Sequence, residues 1–435
     1  MERVSQYWLD TNSDAFTAEG QVQLTIYHTN RNALILDDAW ITKFKQEISG
    51  SILSGSLPEN KIVVTLDNSG GEFEYSPDSD SYKNNQVVYQ YGFAKYIDDG
   101  EGGYIKVYDS IRGARLFVYG VTFDEDAQTV TLDTRDILAF CTETYTGIQT
   151  GTGYEMAMAA IAQARASNAV PIDAIVTHFD YDALSAVDIV IPFGKYYSIR
   201  DLLQMIANAA MCVIYVDRRS EIHIEPLTDI SGKIVDDKKY NWGDVYSANI
   251  KWGDAYNQNW TWGNQKPGED EQRYNISRSI QYGSVKQDLQ PRISHFSLIY
   301  DDSQRYAETH LLGSDDGQEE TLDNTILAND PEETFHVNYV CLWCFHTLQS
   351  GRIIYSGNLR PDPRADLFDV VYVQTRSGYF PSILTYMSLD YNGGWTGTFK
   401  AISADIGNDI TDIYSLEQHT INDLEVHTLS ELEGA

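Results

Sequence analysis

Alternating hydrophobic and polar residues recur through the first third of the chain and predict short β strands. The alternation is clear at 22–27 (Val-Gln-Leu-Thr-Ile-Tyr) and again at 61–66. Further stretches of the same type lie at 104–108, 115–121 and 129–132. Turn residues separate these stretches by about 8 to 12 positions, a spacing typical of a small barrel or sandwich. We therefore expect residues 1–145 to form a first β-barrel-like domain.

The pattern changes near residue 150, where helical signals appear. A Gly/Thr-rich segment at 146–153 precedes a helix-forming run over 154–166. Ser198, with Asp201 three positions later, predicts the capped start of a second helix. Two apolar segments on either side of a turn then predict a β-hairpin, at 212–216 and 221–226. Residues 146–234 are therefore expected to form an α/β helix-hairpin module.

Strand patterns return in the second half of the chain. They lie at 274–282, 294–300, 352–355, 370–373 and 383–389. An acidic turn region is predicted at 313–320, and one helix is predicted over 333–349, ended by Gly351. Residues 235–402 are expected to form a second β-barrel domain. The predicted fold class is thus mainly β with an α/β insert (α+β), built from two β-barrel-like domains and a small helix-hairpin module.

A Trp-Gly repeat with a ten-residue period lies near the start of the second β-barrel domain. Its tryptophans are Trp242, Trp252 and Trp262. Tryptophan side chains at a regular spacing can pack against a neighbour in a β-rich assembly, or they can stack on sugar rings. Packing is the favoured interpretation, and carbohydrate binding remains an alternative.

Residues 403–435 form a C-terminal tail that carries an eight-residue repeat. Eight residues correspond to about 2.2 helical turns, so the apolar stripe does not follow an ordinary coiled coil. A tail of this length has no core of its own, and we expect its apolar residues to contact neighbouring copies or a tip protein. These residues are Ile413, Leu416, Ile421, Leu424, Leu429 and Leu432. A disordered acidic tail is the alternative.

Length and charge narrow the class of protein. A chain of 435 residues is too long for one compact core and indicates two to four domains. Its 64 acidic and 31 basic residues give a formal net charge of −33, which disfavours sequence-specific nucleic-acid binding. No apolar run approaches the roughly 20 residues of a membrane-spanning helix, and the N-terminus does not resemble a secretion signal.

The residues that could carry chemistry do not form a convincing site. Cys341 and Cys344 form a CxxC pair, but they fall inside the predicted helix and are expected to be buried core cysteines. Acidic stretches such as 98–101 and 124–126 fall between strands and are expected to be solvated turns. Among so many acids, no carboxylate pair stands out as a catalytic pair. We therefore predict no catalytic residue, no metal, no cofactor and no enzymatic activity.

Several segments resemble one family of viral proteins. The stretch 46–68, followed by the acidic aromatic loop at 73–77, is similar to the first barrel of phage tail-tip (baseplate) hub proteins, also called tail-associated proteins. Further segments resemble the helix-hairpin module and the last strands of that family, at 197–203, 210–217, 369–373 and 389–398. The resemblance covers roughly residues 40–400.

The resemblance implies a homotrimer. In this family two barrels per chain alternate into a pseudo-six-fold ring, which adapts the hexameric tail tube or distal tail protein to a three-fold tip. Implied partners are the tape-measure protein C-terminus and a tip, spike or receptor-binding protein. The ring would form part of the DNA-conducting channel at the virion tail tip, after synthesis in the host bacterial cytoplasm. A negative lumen would let DNA pass without specific binding.

Larger members of the family carry a lysin or fibre domain after the hub. This sequence ends at Ala435, so we expect a short form in which another protein cleaves peptidoglycan. Two alternatives from other functional classes remain. One is a tail-associated peptidoglycan hydrolase or endopeptidase, and the other is a carbohydrate-binding adhesin that uses the Trp-Gly repeat.

Overall fold

A computed structural model provides the structure of the chain. It describes residues 20–27, 32–53, 57–73, 82–98, 100, 103–167, 175–226, 275–276, 280–299, 306–310, 317–324, 326–327, 334–376 and 378–403. The Trp-Gly repeat at 242–264 and the apolar residues of the C-terminal repeat lie outside these residues. Those six residues are Ile413, Leu416, Ile421, Leu424, Leu429 and Leu432.

The first region of the chain forms long antiparallel strands. They are β1 (Gly20–Tyr27), β2 (Leu34–Leu36), β3 (Ile41–Ser49), β4 (Glu59–Asp67), β5 (Gln86–Asp98), β6 (Tyr104–Asp124) and β7 (Thr129–Arg135). Buried and partly exposed residues alternate along β4 and β7, as the sequence predicts for half-buried strands. A short 3-10 turn at Ile137–Phe140 then leads into the middle region.

The middle region combines helices with short strands. Its elements are β8 (Thr150–Thr152), α1 (Gly153–Ala166), β9 (Thr177–Phe179), α2 (Tyr181–Ser185), β10 (Asp188–Val190), α3 (Ile199–Ala209), β11 (Cys212–Val216) and β12 (Ile222–Pro226). Helix α1 begins with a capping box between Thr152 and Glu155, and the Ser198 hydroxyl caps α3 by accepting the Asp201 N–H. The predicted cap of the second helix and the predicted hairpin are both confirmed.

The last region returns to β structure around one helix. Its elements are β13 (Asn275–Ile276), β14 (Lys286–Leu289), β15 (Ile293–Ile299), β16 (Tyr306–His310), β17 (Gln318–Asp323), α4 (Thr334–Ser350), β18 (Ile353–Leu359), β19 (Val370–Gln374), β20 (Tyr379–Tyr391) and β21 (Trp395–Ser403). The predicted helix at 333–349 is therefore confirmed. Helix α4 packs against β15 and β16, which form a small sheet with β17.

The two β regions share one 13-stranded sheet. Its order is β14-β18-β21-β20-β3-β4-β7-β6-β5-β1-β2, with β19 paired to β20 and β13 paired to β19. The regions meet where β20 runs antiparallel to β3, with Tyr386 opposite Ser49 and Tyr391 opposite Phe44. This seam joins strands whose sequence positions are more than 300 residues apart. The prediction of a mainly β chain with a small α/β insert is confirmed.

The first region curls back towards this seam. The Tyr391 hydroxyl donates a 3.1 Å hydrogen bond to the carbonyl oxygen of Gly20 on β1. The Trp395 ring stacks on Tyr91 of β5 at a centroid distance of 4.0 Å. Within the described residues the hydrogen-bonded ladder ends at β2 and β14 and does not close into a barrel. Side-chain packing, rather than a continuous ladder, brings β1 and β5 against the second region.

Strand β6 corrects one expectation from the sequence. The two strands predicted at 104–108 and 115–121 are parts of a single strand of 21 residues. A bulge interrupts its pairing with β5, because Gly113 and Ala114 both lie opposite Tyr89. Only glycine fits at position 113, since a Cβ atom there would lie 1.9 Å from Tyr89 Cζ. The bulge bends β6 without ending it.

Candidate functional site

The paired ends of β5 and β6 form a protruding arm with exposed apolar side chains. Tyr96 and Ile97 are 60% and 46% exposed on β5, and Tyr104 and Ile105 are 74% and 56% exposed on β6. Neighbouring residues of a strand point to opposite faces, so solvent reaches both faces of the arm. Apolar residues on both faces of a projecting hairpin are typical of a protein contact. The arm is a candidate assembly surface.

A second candidate site lies where the β11–β12 turn meets the bulge of β6. The N–H of Arg115 donates a 2.8 Å hydrogen bond to the carbonyl oxygen of Arg218. The Ser220 hydroxyl donates in turn to the carbonyl oxygen of Arg115. Ser220 adopts a left-handed conformation, with φ of 63°. The α/β module is therefore attached to the large sheet through backbone groups and the Ser220 hydroxyl.

The last β region contributes a third side of this junction through the segment between β18 and β19. The carboxylate of Asp366 accepts a 3.0 Å hydrogen bond from the N–H of Arg218. Burial and, to a smaller extent, the neighbouring Asp369 carboxylate raise the pKa of Asp366 to about 7, against the opposing effect of the Arg218 guanidinium. Nearby, Asp362 and Arg364 form a buried ion pair through two guanidinium nitrogens.

The titration of Asp366 should make stability depend on pH. Its folded-state pKa of about 7 lies above its ordinary value of 3.8, so the folded protein binds the proton more tightly than the unfolded chain does. Stability should therefore fall as pH rises from 4 to 7, by about 1.4 kcal/mol for each unit of the shift. Urea unfolding measures the free energy of unfolding of Asp366→Asn minus that of the native protein. We expect this difference to be more positive at pH 8 than at pH 5.

An exposed acid provides the control for this prediction. Asp38→Asn removes one carboxylate from the surface and should leave the pH dependence unchanged. Equal differences in unfolding free energy between pH 5 and pH 8 for the native protein and Asp366→Asn would contradict the assignment.

A column of three stacked rings crosses the sheet of the α/β module. His223 on β12 stacks on His178 of β9 at 4.7 Å and on Tyr215 of β11 at 4.8 Å. The three residues face one another because they are register partners across the three strands. Burial raises the pKa of Tyr215 above its ordinary range, and so does the Glu225 carboxylate, which accepts a 2.8 Å hydrogen bond from the Tyr215 hydroxyl.

The ring column includes a group of possible metal ligands. Ligand atoms of His178, Glu221 and His223 lie within 4.8 Å of one another. The two imidazole rings are stacked with an interplanar angle of only 19°, so their in-plane lone pairs lie in two offset, nearly parallel planes and are poorly placed to converge on one ion. The Glu221 carboxylate already lies 2.7 Å from His178 Nε2, within hydrogen-bond distance. This arrangement suits stacking and an ion pair better than tetrahedral coordination of a metal.

Known proteins resemble this chain in structure but not in sequence. No protein-family model matches the sequence, and a search of curated proteins finds no match. The tail protein from Neisseria meningitidis MC58 superposes with a TM-score of 0.52 at 9% identity, over 88% of this chain and 96% of that chain. This chain has a tail-protein fold. The resemblance to phage tail proteins is thereby supported by structure.

Two prophage tail proteins are also similar to this chain, although less closely in shape. The 43 kDa tail protein of prophage MuSo2 from Shewanella oneidensis gives a TM-score of 0.48 at 10% identity, covering 88% of this chain and 98% of that chain. Prophage tail protein gp18 from Listeria monocytogenes EGD-e gives 0.43 at 8% identity, covering 91% and 97%.

Within this tail-protein fold, the cysteines lie where the sequence predicts them. Cys341 and Cys344 are buried on α4, and burial raises the pKa of Cys344. Cys141 and Cys212 are also buried and free. Among the described residues no helix is long and apolar enough to cross a bilayer. Asp124 is the exposed last residue of β6, and Glu125 and Asp126 lie in the exposed turn that follows, as expected.

Sequence reasoning missed the junction and the ring column. The β11–β12 hairpin contains an Arg-Arg pair at 218–219, and β6 contains arginines at 112 and 115. Each pair is unremarkable by itself. Their proximity depends on a contact between Ser220 and Arg115, which are 105 residues apart in the sequence. Because His223 alternates with apolar neighbours, the sequence predicts that its side chain lies on the opposite face of the hairpin from theirs. The sequence does not show that His223 stacks on a residue of β9.

Proposed function

We propose that this chain is a structural component of a phage tail. More specifically, we propose a trimeric tail-tip or baseplate hub that adapts the hexameric tail tube or distal tail protein to a three-fold tip. Its ring would form part of the channel through which DNA leaves the virion. The role is structural rather than enzymatic.

The observation that carries this proposal is the shared fold. It extends over 88% of this chain and almost the whole length, 96%, of the Neisseria tail protein. The similarity thus involves the arrangement of both β regions and the α/β module, not one common motif. Fold alone does not fix function, so the proposal also depends on features that suit assembly.

The side-by-side arrangement of the two β regions supports a ring. Strands β1 to β7 form one unit of the sheet, and the strands of the last region form a second unit across the β3–β20 seam. One chain can therefore supply two adjacent segments of a ring, and three chains can supply six. This matches the step from a six-fold tube to a three-fold tip that the sequence resemblance implies.

Two surfaces are proposed to contact neighbours in the assembly. The first is the arm formed by β5 and β6, whose exposed aromatic and aliphatic side chains would be buried by a partner. The second is the C-terminal repeat from Ile413 to Leu432, which we propose to contact other copies or a tip, spike or receptor-binding protein. The tape-measure protein C-terminus would approach the ring from the tube side.

The mass of the purified assembly tests the proposal. We expect a species containing three copies of the 49.2 kDa chain, measured by mass photometry or light scattering at micromolar concentration. Electron microscopy should show a three-fold ring, which should attach to tail-tube or distal tail rings when these are added. A monomer that forms no ring in the presence of tube components would contradict the hub assignment.

A further inference from the structure

A positively charged pocket of about 290 Å³ lies at the junction between the β6 bulge and the β11–β12 turn. It is lined by Arg112, Gly113, Arg115, Arg218, Arg219 and Glu221. Four arginines and one glutamate therefore line the pocket, in a chain whose formal net charge is −33. This local excess of positive charge contrasts with the rest of the protein.

Hydrogen bonds fix the main chain that carries these arginines. Hydrogen bonds between Arg115, Arg218 and Ser220 attach the turn to the bulge. The Asp217 carboxylate stabilises the turn by accepting the N–H groups of Arg219 and Glu221, each at 2.9 Å. The main chain of the turn is thus organised before any ligand arrives, which lowers the entropic cost of binding.

Few nearby carboxylates neutralise the arginines of the pocket. Among the described residues, no carboxylate lies within ion-pair distance of Arg112, Arg115 or Arg219. Arg115 Nε is buried without a hydrogen-bond partner. Burial and the nearby Arg112 guanidinium lower the pKa of Arg115. Glu221 is already engaged by His178. An anion entering the pocket would offset this repulsion.

The chemistry of the pocket selects the class of anion. Guanidinium groups bind carboxylates and phosphates through paired hydrogen bonds. A volume of about 290 Å³ admits a few carboxylate groups but not a nucleic-acid duplex. The net charge of −33 also repels a polyanion as long as DNA. A short acidic protein segment fits both constraints.

We propose that the pocket binds the acidic β6–β7 turn of a second copy of this chain. That turn presents three consecutive exposed carboxylates, on Asp124, Glu125 and Asp126. It is preformed, because Asp124 Oδ1 accepts the Ala127 N–H at 2.9 Å. Its three carboxylates are opposite in charge to the arginines that line the pocket.

The positions of the two surfaces suit contacts around a ring. Arg115 and Asp124 lie on the same strand β6, and at about 3.3 Å per residue they are roughly 30 Å apart. A turn at this distance does not reach its own pocket. Head-to-tail rings require two different complementary patches on each copy. The inference deepens the proposed function, because it assigns a contact between neighbouring copies.

A calorimetric titration tests the contact in the full-length chain. The acceptor protein carries D124K, E125K and D126K, so that its own turn is unable to fill a neighbouring pocket. The probe is a peptide with the native sequence of residues 121–129. We expect binding that weakens at least tenfold when Arg112→Glu and Arg219→Glu are added to the acceptor. A peptide with D124N, E125Q and D126N should also bind at least tenfold more weakly.

Controls separate this contact from misfolding and from simple anion binding. Arg112 and Arg219 are exposed, and circular dichroism should show an unchanged fold; R112Q with R219Q provides a milder pair if it does not. Equal binding of the charged and neutral peptides would overturn the proposal. So would peptide binding unaffected by the arginine changes, the absence of peptide binding, or inorganic phosphate that binds as tightly as the peptide.

The titration and the mass measurement have separate outcomes. Peptide binding is measured on the pocket itself and does not require a trimer. A trimer that does not bind the peptide would overturn this inference and would not contradict the hub proposal. A monomer that binds the peptide through these arginines would overturn the hub and retain the pocket.

Discussion

Replacing Trp395 with alanine should lower the free energy of unfolding by about 3–5 kcal/mol, the range for removing a buried aromatic side chain. Trp395 is 3% exposed and lies beside the seam between the two β regions. Its ring stacks on Tyr91 at 4.0 Å and meets the edge of Phe44 at 5.7 Å. Both partners belong to the first region, so the substitution removes packing between the regions. Urea unfolding followed by circular dichroism measures the loss.

Two variants test whether this effect comes from the buried position. Trp395→Phe retains an aromatic ring and should lose less stability than the alanine variant. Tyr104→Ala removes a large aromatic side chain that is 74% exposed, and it should change stability by no more than about 0.5 kcal/mol. A Trp395→Ala protein within 1 kcal/mol of the native protein would show that the two β regions are held together by other contacts.

A single methyl group at Gly397 should destabilise the protein by about 3 kcal/mol, at the upper end of typical overpacking costs. A Cβ atom at this position of β21 would lie 2.0 Å from the carbonyl oxygen of Ser388. Ser388 belongs to β20 and lies opposite Glu47 of β3. Because the clash involves backbone, relief requires β20 to move, and that movement disturbs the seam. Thermal unfolding of Gly397→Ala measures the effect.

The same hairpin supplies a matched control. Gly394 has no atom within 4 Å of a Cβ placed on it, and Gly394→Ala should therefore stay within about 0.5 kcal/mol of the native protein. The two variants differ in position by three residues and add the same methyl group. Similar melting temperatures for both would contradict the close packing of β21 on β20.

The sequence by itself determined the local elements of this protein. Alternation at 22–27 and 61–66 placed β1 and β4, because side chains of a half-buried strand point alternately to core and solvent. Ser198 marked the start of α3, because its hydroxyl satisfies the N–H of Asp201, only three residues away. These signals depend on residues close in sequence, so they can be recognised without knowledge of the fold.

The resemblance to tail proteins was also available from the sequence, because several short segments keep the order that the family has. No single segment identifies the family by itself. The structure supports the same conclusion through the path of the chain, which is retained at 9% identity to the Neisseria tail protein. Backbone topology tolerates extensive substitution as long as hydrophobic positions stay on the buried faces.

Only the tertiary structure decided how distant segments meet. Nothing local to Phe44 or Tyr391 specifies that β3 and β20 pair, since many strands offer equivalent hydrogen-bonding edges. The continuity of β6 was missed because its bulge interrupts the alternation at Gly113. The arginine pocket exists because a turn of the α/β module docks on that bulge. Its chemistry is set by side chains that long-range packing brings together.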